Sequence, residues 1–129
     1  LTIFKVCLPK FAKVLLLEDS DMRINWFQKR IPDLKVVRTV SEFTSYLEGR
    51  PPVDFIFLDH DLGFLDAYGN PGVEGNGLQA AKYLRDKFGS DGHDNVIHSF
   101  NRSGVASMHA VLPKATCIPF GQFEVEVED

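Results

Sequence analysis

The stretch KVLLLEDS (Lys13–Ser20) is a short apolar run that stops abruptly on two acids, and VDFIFLDHD (Val53–Asp61) repeats the pattern. Both runs are too short for a buried helix and too continuous for a half-exposed strand. They therefore read as strands covered on both faces, the signature of a parallel sheet. Between them, Asp21–Ile31 places Ile24, Phe27 and Ile31 at helical spacing before Pro32 ends the helix. Lys35–Arg38 is a further short strand. Thr39 and Glu42 form a capping-box pattern, followed by Val40, Phe43 and Leu47 on one helical face up to Gly49.

Beyond Asp61 the rhythm continues. Leu62–Asn76 is a long connection carrying Gly63, Gly69, Gly72 and Gly75, a length associated with lids and binding loops but also with plain surface excursions. Leu78, Ala81, Leu84 and Phe88 then stripe a helix closed by Gly89. Asn95–Phe100 reads as a strand containing His98-Ser99, and Val105, Met108 and Leu112 stripe the next helix. Ala115–Phe120 is a fifth strand, after which EVEVED alternates like an edge strand instead of a helix. Strands alternating with helices on short connections define an α/β fold. The economical arrangement is a doubly wound, flavodoxin-like, five-stranded parallel sheet, with its last helix missing or replaced by a short edge strand. The boundaries are an extension at 1–12, the domain at 13–121 and an acidic tail or edge strand at 122–129.

Composition narrows the classes. The 129 residues are 44% hydrophobic and 25% charged, as in an ordinary single globular domain. The longest strongly apolar runs span four residues, Val14–Leu17 and Phe55–Leu58, so no membrane span is expected. A net charge of −4 argues against a protein that coats nucleic acid in bulk, though not against one phosphate held locally. Cys7 and Cys117 read as free thiols of a reducing, cytoplasmic compartment, with a single bridge as the alternative. No basic-then-apolar leader opens the sequence.

In a doubly wound sheet, ligands sit at the carboxyl ends of the strands. There the pattern puts Glu18-Asp19, Asp59-His60-Asp61, His98-Ser99 and the Pro119 turn. Crowded carboxylates repel unless a cation compensates them, and an oxygen-rich, thiol-poor set suits Mg²⁺ or Mn²⁺. The plainer alternative is that these acids only cap the helices after them. His98, Ser99 and Asn101 precede a helix N-terminus and form a candidate phosphate cradle. His60 and His98 together form an acid–base pair of the kind phosphodiester chemistry uses; either alone also fits a structural histidine.

KVLLLEDS, FIFLD with Asp59, Ser99 after the fourth strand and Pro119-Phe120 resemble a response-regulator receiver domain over residues 13–120. The resemblance implies metal binding by Asp19 and Asp59 directly, by Glu18 through water and by the Asp61 backbone carbonyl, with Ser99 as a switch hydroxyl. It departs at Ile118, where receivers carry a lysine before the proline; Lys114 lies four residues upstream. LDHDLG (Leu58–Gly63) and His98-Ser99-x-Asn101, with Gly104 and Met108, resemble more closely the receiver-derived group called cyclic-phosphate-processing receiver domains.

That resemblance implies a metal-assisted phosphoesterase acting on, or sensing, a cyclic phosphate such as an RNA or nucleotide 2′,3′-cyclic end. Asp59, His60 and His98 would be catalytic, and Ser99 and Asn101 would hold phosphate oxygens. Two other functions fit the same residues: a catalytically silent receiver-like module binding a protein or nucleotide, with the C-terminal edge strand as its foothold, and a signalling receiver phosphorylated on Asp59.

Overall fold

The computed structural model describes residues 3–62, 76–90 and 92–128. The elements run β1 (Phe4–Leu8), β2 (Val14–Leu17), α1 (Asp21–Arg30), β3 (Leu34–Val37), α2 (Val40–Glu48), β4 (Phe55–Leu58), α3 (Gly77–Phe88), β5 (Asp94–Ile97), α4 (Arg102–Val111), β6 (Thr116–Cys117) and β7 (Phe123–Val127). The all-parallel sheet has the order β3-β2-β4-β5-β6. The chain adds β3 on one side of β2 and β4, β5 and β6 on the other, so the carboxyl ends of β2 and β4 flank the switch point where doubly wound folds open a cleft.

Parity along the strands assigns the two faces. Leu15, Leu17, Ile56, Leu58 and Ile97 point to α2, α3 and α4, meeting Phe43, Leu47, Leu84 and Met108 in one apolar cluster. Val14, Leu16, Phe57 and Val96 point the other way, to Ile24, Phe27 and Ile31 around α1. The helices start where the side chains dictate: Ser20, Thr39, Asn76 and Asn101 each accept a backbone N–H of the first helical turn. At α3 the Asn76–Gln79 pair completes a reciprocal capping box, so the helix starts at Gly77, one residue before the apolar stripe that opens on Leu78.

No helix follows β6 among the described residues. The chain instead turns at Gly121 (φ 92°) into β7, which pairs in parallel with β1 as a separate two-stranded sheet. Val6, Leu8, Phe123 and Val125 pack from this pair onto the α1 face. The 1–12 stretch, expected as an extension, thus supplies a strand that helps to close the second face. Phe123–Val127, most of the acidic tail, joins it: Phe123 and Val125 are buried, while Glu124 pairs with Arg30 at 2.6 Å and Glu126 with Lys5 at 3.7 Å.

β6 is shorter than the Ala115–Phe120 strand the sequence suggests, because Pro119 has no N–H to continue a regular ladder. The Ile118 and Phe120 N–H groups still donate to the Ile97 and His98 carbonyls, both at 2.9 Å. The glycine-rich connection falls almost wholly at 63–75, outside the described residues. Cys7 and Cys117 are exposed free thiols. No described helix is long and apolar enough to cross a membrane.

Candidate active site

Backbone bonds carry the strands one step past their regular ends and so fix the site. The Glu18, Asp59 and His98 N–H groups donate to the carbonyls of Val37, Leu17 and Leu58 at 3.0–3.1 Å. Three ionisable side chains thereby arrive together at the switch point: Glu18 (0% exposed), Asp59 (3%) and His98 (0%). One ligand atom from each lies within 4.8 Å of the others, a spacing that fits one metal ion. Asp19, Asp61, Ser99 and Phe100 line the same cavity of about 280 Å³. A donor set dominated by carboxylate oxygens fits Mg²⁺ or Mn²⁺.

The electrostatics point to a shortage of positive charge. Burial, then the neighbouring Glu18 charge, push the Asp59 carboxyl up to about 6, against the opposing pull of His98 and Arg23. Burial also pushes Glu18 upward, but the His98 hydrogen bond and charge, the Ser20 N–H and Arg23 outweigh it, so Glu18 is held below its ordinary value. His98 Nε2 lies 3.0 Å from Glu18 Oε1, and its ring packs edge-on against Phe27. Its Nδ1 has no partner among the described residues.

The two histidines face different elements. His98 packs on the α1 side, whereas the His60 ring lies against Gly104 of α4, where an added Cβ would fall 2.4 Å from His60 Cγ. His60 Nδ1 is 2.7 Å from Asp61 Oδ1, which holds Asp61 below its ordinary value. Asn101 ties this pair to α4. Its Nδ2 donates to Asp61 Oδ1 at 3.1 Å, and its Oδ1 accepts from Gly104 N–H at 2.9 Å. Asn101 Oδ1 is therefore engaged in capping. Ser99 Oγ accepts the Asn101 N–H at 3.1 Å, leaving its hydroxyl proton to donate elsewhere.

Gly77 is required for a related reason: a Cβ there would sit 2.1 Å from the Asp59 carbonyl, while its N–H donates to the His60 carbonyl at 2.9 Å. Close backbone contact at both glycines holds the Asp59–Asp61 segment between α3 and α4. Gly104→Ala should therefore push the His60 ring aside and cost about 1–3 kcal/mol, the usual range for overpacking. Urea unfolding checks the cost, and the His60 ring NMR signals should move with it; an unperturbed ring would contradict the packing described.

Sequence reasoning overlooked Arg23. From the first turns of α1 its Nη1 reaches to 3.5 Å from Glu18 Oε1 and 3.9 Å from Asp59 Oδ2. Its guanidinium lies 5.1 Å from the Phe100 ring centroid and 5.2 Å from that of Phe120. It is the one lysine or arginine among the described residues lining the cavity. Ile118 instead packs against the apolar cluster around α1, and Lys114 lies with Lys5 and Asn95 at the opposite end of the strands.

Residues 14–114 match the family described as the cyclic-phosphate processing receiver domain. No curated protein sequence matches the chain. Among solved structures, the phosphorylated cyanobacterial phytochrome response regulator RcpA is similar at 17% identity and TM-score 0.66, over 84% of this chain and 79% of its own. The Mn²⁺-bound form of response regulator Rcp1 is similar at 16% identity and TM-score 0.64, with the same coverage. The signal receiver domain of an HD domain-containing protein from Pseudomonas fluorescens Pf-5 is similar at 10% identity and TM-score 0.66, over 86% and 83%. At these identities the likeness shows the receiver fold.

Proposed function

The chain belongs to the cyclic-phosphate processing receiver domain family, and we propose that it is a divalent-metal-assisted phosphoesterase opening a 2′,3′-cyclic phosphate. The observation that supports this most is the buried Glu18–Asp59–His98 cluster, whose two carboxylates line a cavity that Arg23 also lines. Glu18 and Asp59 would hold the ion, with Asp19 and the Asp61 carbonyl completing its oxygen shell. When bound, Mg²⁺ or Mn²⁺ supplies Lewis-acid polarisation of the phosphoryl oxygens.

The chain's own residues do the rest. Arg23 takes a non-bridging oxygen, the role an isoleucine at 118 cannot fill, and the Ser99 hydroxyl donates to another. With Nδ1–H donated to Asp61, His60 Nε2 carries the lone pair that takes a proton from the attacking water. A bond forms between that water oxygen and phosphorus, the bond to ribose O2′ or O3′ breaks, and the leaving oxygen collects a proton from solvent. The products are a phosphomonoester and a free ribose hydroxyl. His98, fully buried, acts through Glu18 as a positioning residue, and Asn101 holds Asp61 and His60 in place.

The discriminating variant is Arg23→Gln. In saturating Mn²⁺ it should weaken inorganic phosphate binding roughly tenfold or more by calorimetry, since a charged hydrogen bond is worth about 1.5–3 kcal/mol. Mn²⁺ affinity should stay equal or rise, because a competing cation has gone. Unchanged phosphate affinity would leave Arg23 a mere counter-ion and count against the reading. Stable labelling of Asp59 by a small phosphodonor, without turnover, would favour a signalling receiver instead. A folded protein with neither metal nor phosphate affinity would favour the silent binding module.

A further inference from the structure

The acid cavity does not stand alone. Ser99 and Phe100 also line a second cavity of about 490 Å³ between α4 and β6. Its apolar floor and wall are Ile97, Val105, Ile118 and Pro119, and its rim carries Arg102 and Gln122. The groove lies where β6, the edge strand of the five-stranded sheet, meets α4. Phe100, at the junction, is 57% exposed and so accessible to a ligand. Its ring also bears on Arg23, so an aromatic surface and the phosphate-holding cation adjoin each other.

Resting on the phosphoesterase reading, we propose that the α4–β6 groove is a nucleobase subsite, and that the substrate is a nucleoside 2′,3′-cyclic phosphate and not a cyclic phosphate of any small polyol. The groove matches a base in character: apolar where the ring faces would lie, polar at the rim where ring nitrogens and exocyclic groups would find partners. Its volume falls within the range of small-molecule sites, about 300–1,000 Å³. Stacking on Phe100 needs no particular base, so selectivity among bases falls to the polar lining, Arg102, His109 and Gln122. A ribose spanning Ser99 would place the cyclic phosphate beside Arg23 and Asp59 and the base over the groove.

The test compares two probes in saturating Mn²⁺: adenosine 2′,3′-cyclic phosphate and the base-free ribose 2,3-cyclic phosphate. Wild type should bind the nucleotide roughly tenfold or more tightly, as one base–aromatic stack allows. Phe100→Ala should lower nucleotide affinity, but it also frees Arg23 from one of its rings. The cleaner variant is Ala106→Trp, at an exposed position of α4 that lines the groove but not the acid cavity. It should erase the preference while leaving base-free binding as in wild type. Equal affinities in wild type, or a preference that survives Ala106→Trp, would overturn the subsite. Failure of both probes would instead overturn the reading of the acid cavity itself. An oligoribonucleotide ending in the same cyclic phosphate separates the two sources of this ligand: tighter binding than the mononucleotide identifies an RNA end, equal binding a free nucleotide.

Discussion

Asp59→Asn should make the metal-free protein more stable at neutral pH, by about 1–3 kcal/mol. Asp59 titrates near 6 in the folded protein against 3.8 for a free carboxyl. Between those values the native state binds more protons than the unfolded chain, so this group's contribution to stability falls as pH rises through the window. Above it the full cost remains, and two pKa units set its upper size at about 3 kcal/mol. Asparagine is isosteric, and its side-chain oxygen can still accept the His60 N–H that Asp59 Oδ1 accepts at 2.9 Å. In chelator the two proteins should therefore be equally stable near pH 4 and diverge by pH 7, with the variant the more stable. Added Mn²⁺ should reverse the order, because only wild type gains the linkage term from binding. Urea unfolding across pH measures this directly. A variant less stable than wild type throughout, in chelator, would contradict the charge shortage at the site.

His98→Ala has a larger and opposite effect. Removing His98 takes a hydrogen-bond partner from the buried Glu18 carboxylate, which keeps Arg23 and the Ser20 N–H, and leaves a hole, a combined loss of about 3–5 kcal/mol. The melting temperature should fall by roughly ten to twenty degrees. Part of such a loss comes from the hole left among Phe27 and Phe57, so His98→Phe is the sharper experiment. It keeps an aromatic ring against those neighbours yet still removes the imidazole hydrogen bond to the carboxylate. Glu18→Gln in the His98→Phe background should recover much of the loss, and the double-mutant cycle isolates the pair. His98→Phe as stable as wild type would show that the pair carries nothing.

The acids were legible in the sequence because strand ends are: VLLL and FIFL are too short and too apolar to be anything but doubly covered strands, and the residues just past their carboxyl ends land in the cleft. The histidines were legible in position but not in orientation. A parity signal was present, since Val96 and His98 share a side of β5, and Val96 faces α1. Arg23 gave no such signal. Its place depends on Phe100 and Phe120, which come from two distant turns, and no local pattern encodes that meeting. The pairing of Phe4–Leu8 with Phe123–Val127 was hidden for the same reason, because it joins opposite ends of the chain. Asn101, expected as a phosphate ligand, has its side-chain carbonyl engaged in the α4 cap, a use the sequence of any helix start makes common.

If this cleft opens cyclic phosphates, the most direct measurement is product formation. Adenosine 2′,3′-cyclic phosphate incubated with the protein and Mg²⁺ or Mn²⁺, then resolved by ion-exchange chromatography, should yield adenosine monophosphate with turnover. The rate should fall roughly 100-fold or more in His60→Gln, within the usual range for loss of a general base. In Asp59→Asn it should vanish along with metal binding. A folded wild-type protein that binds the metal and the nucleotide yet forms no monophosphate would contradict the phosphoesterase assignment.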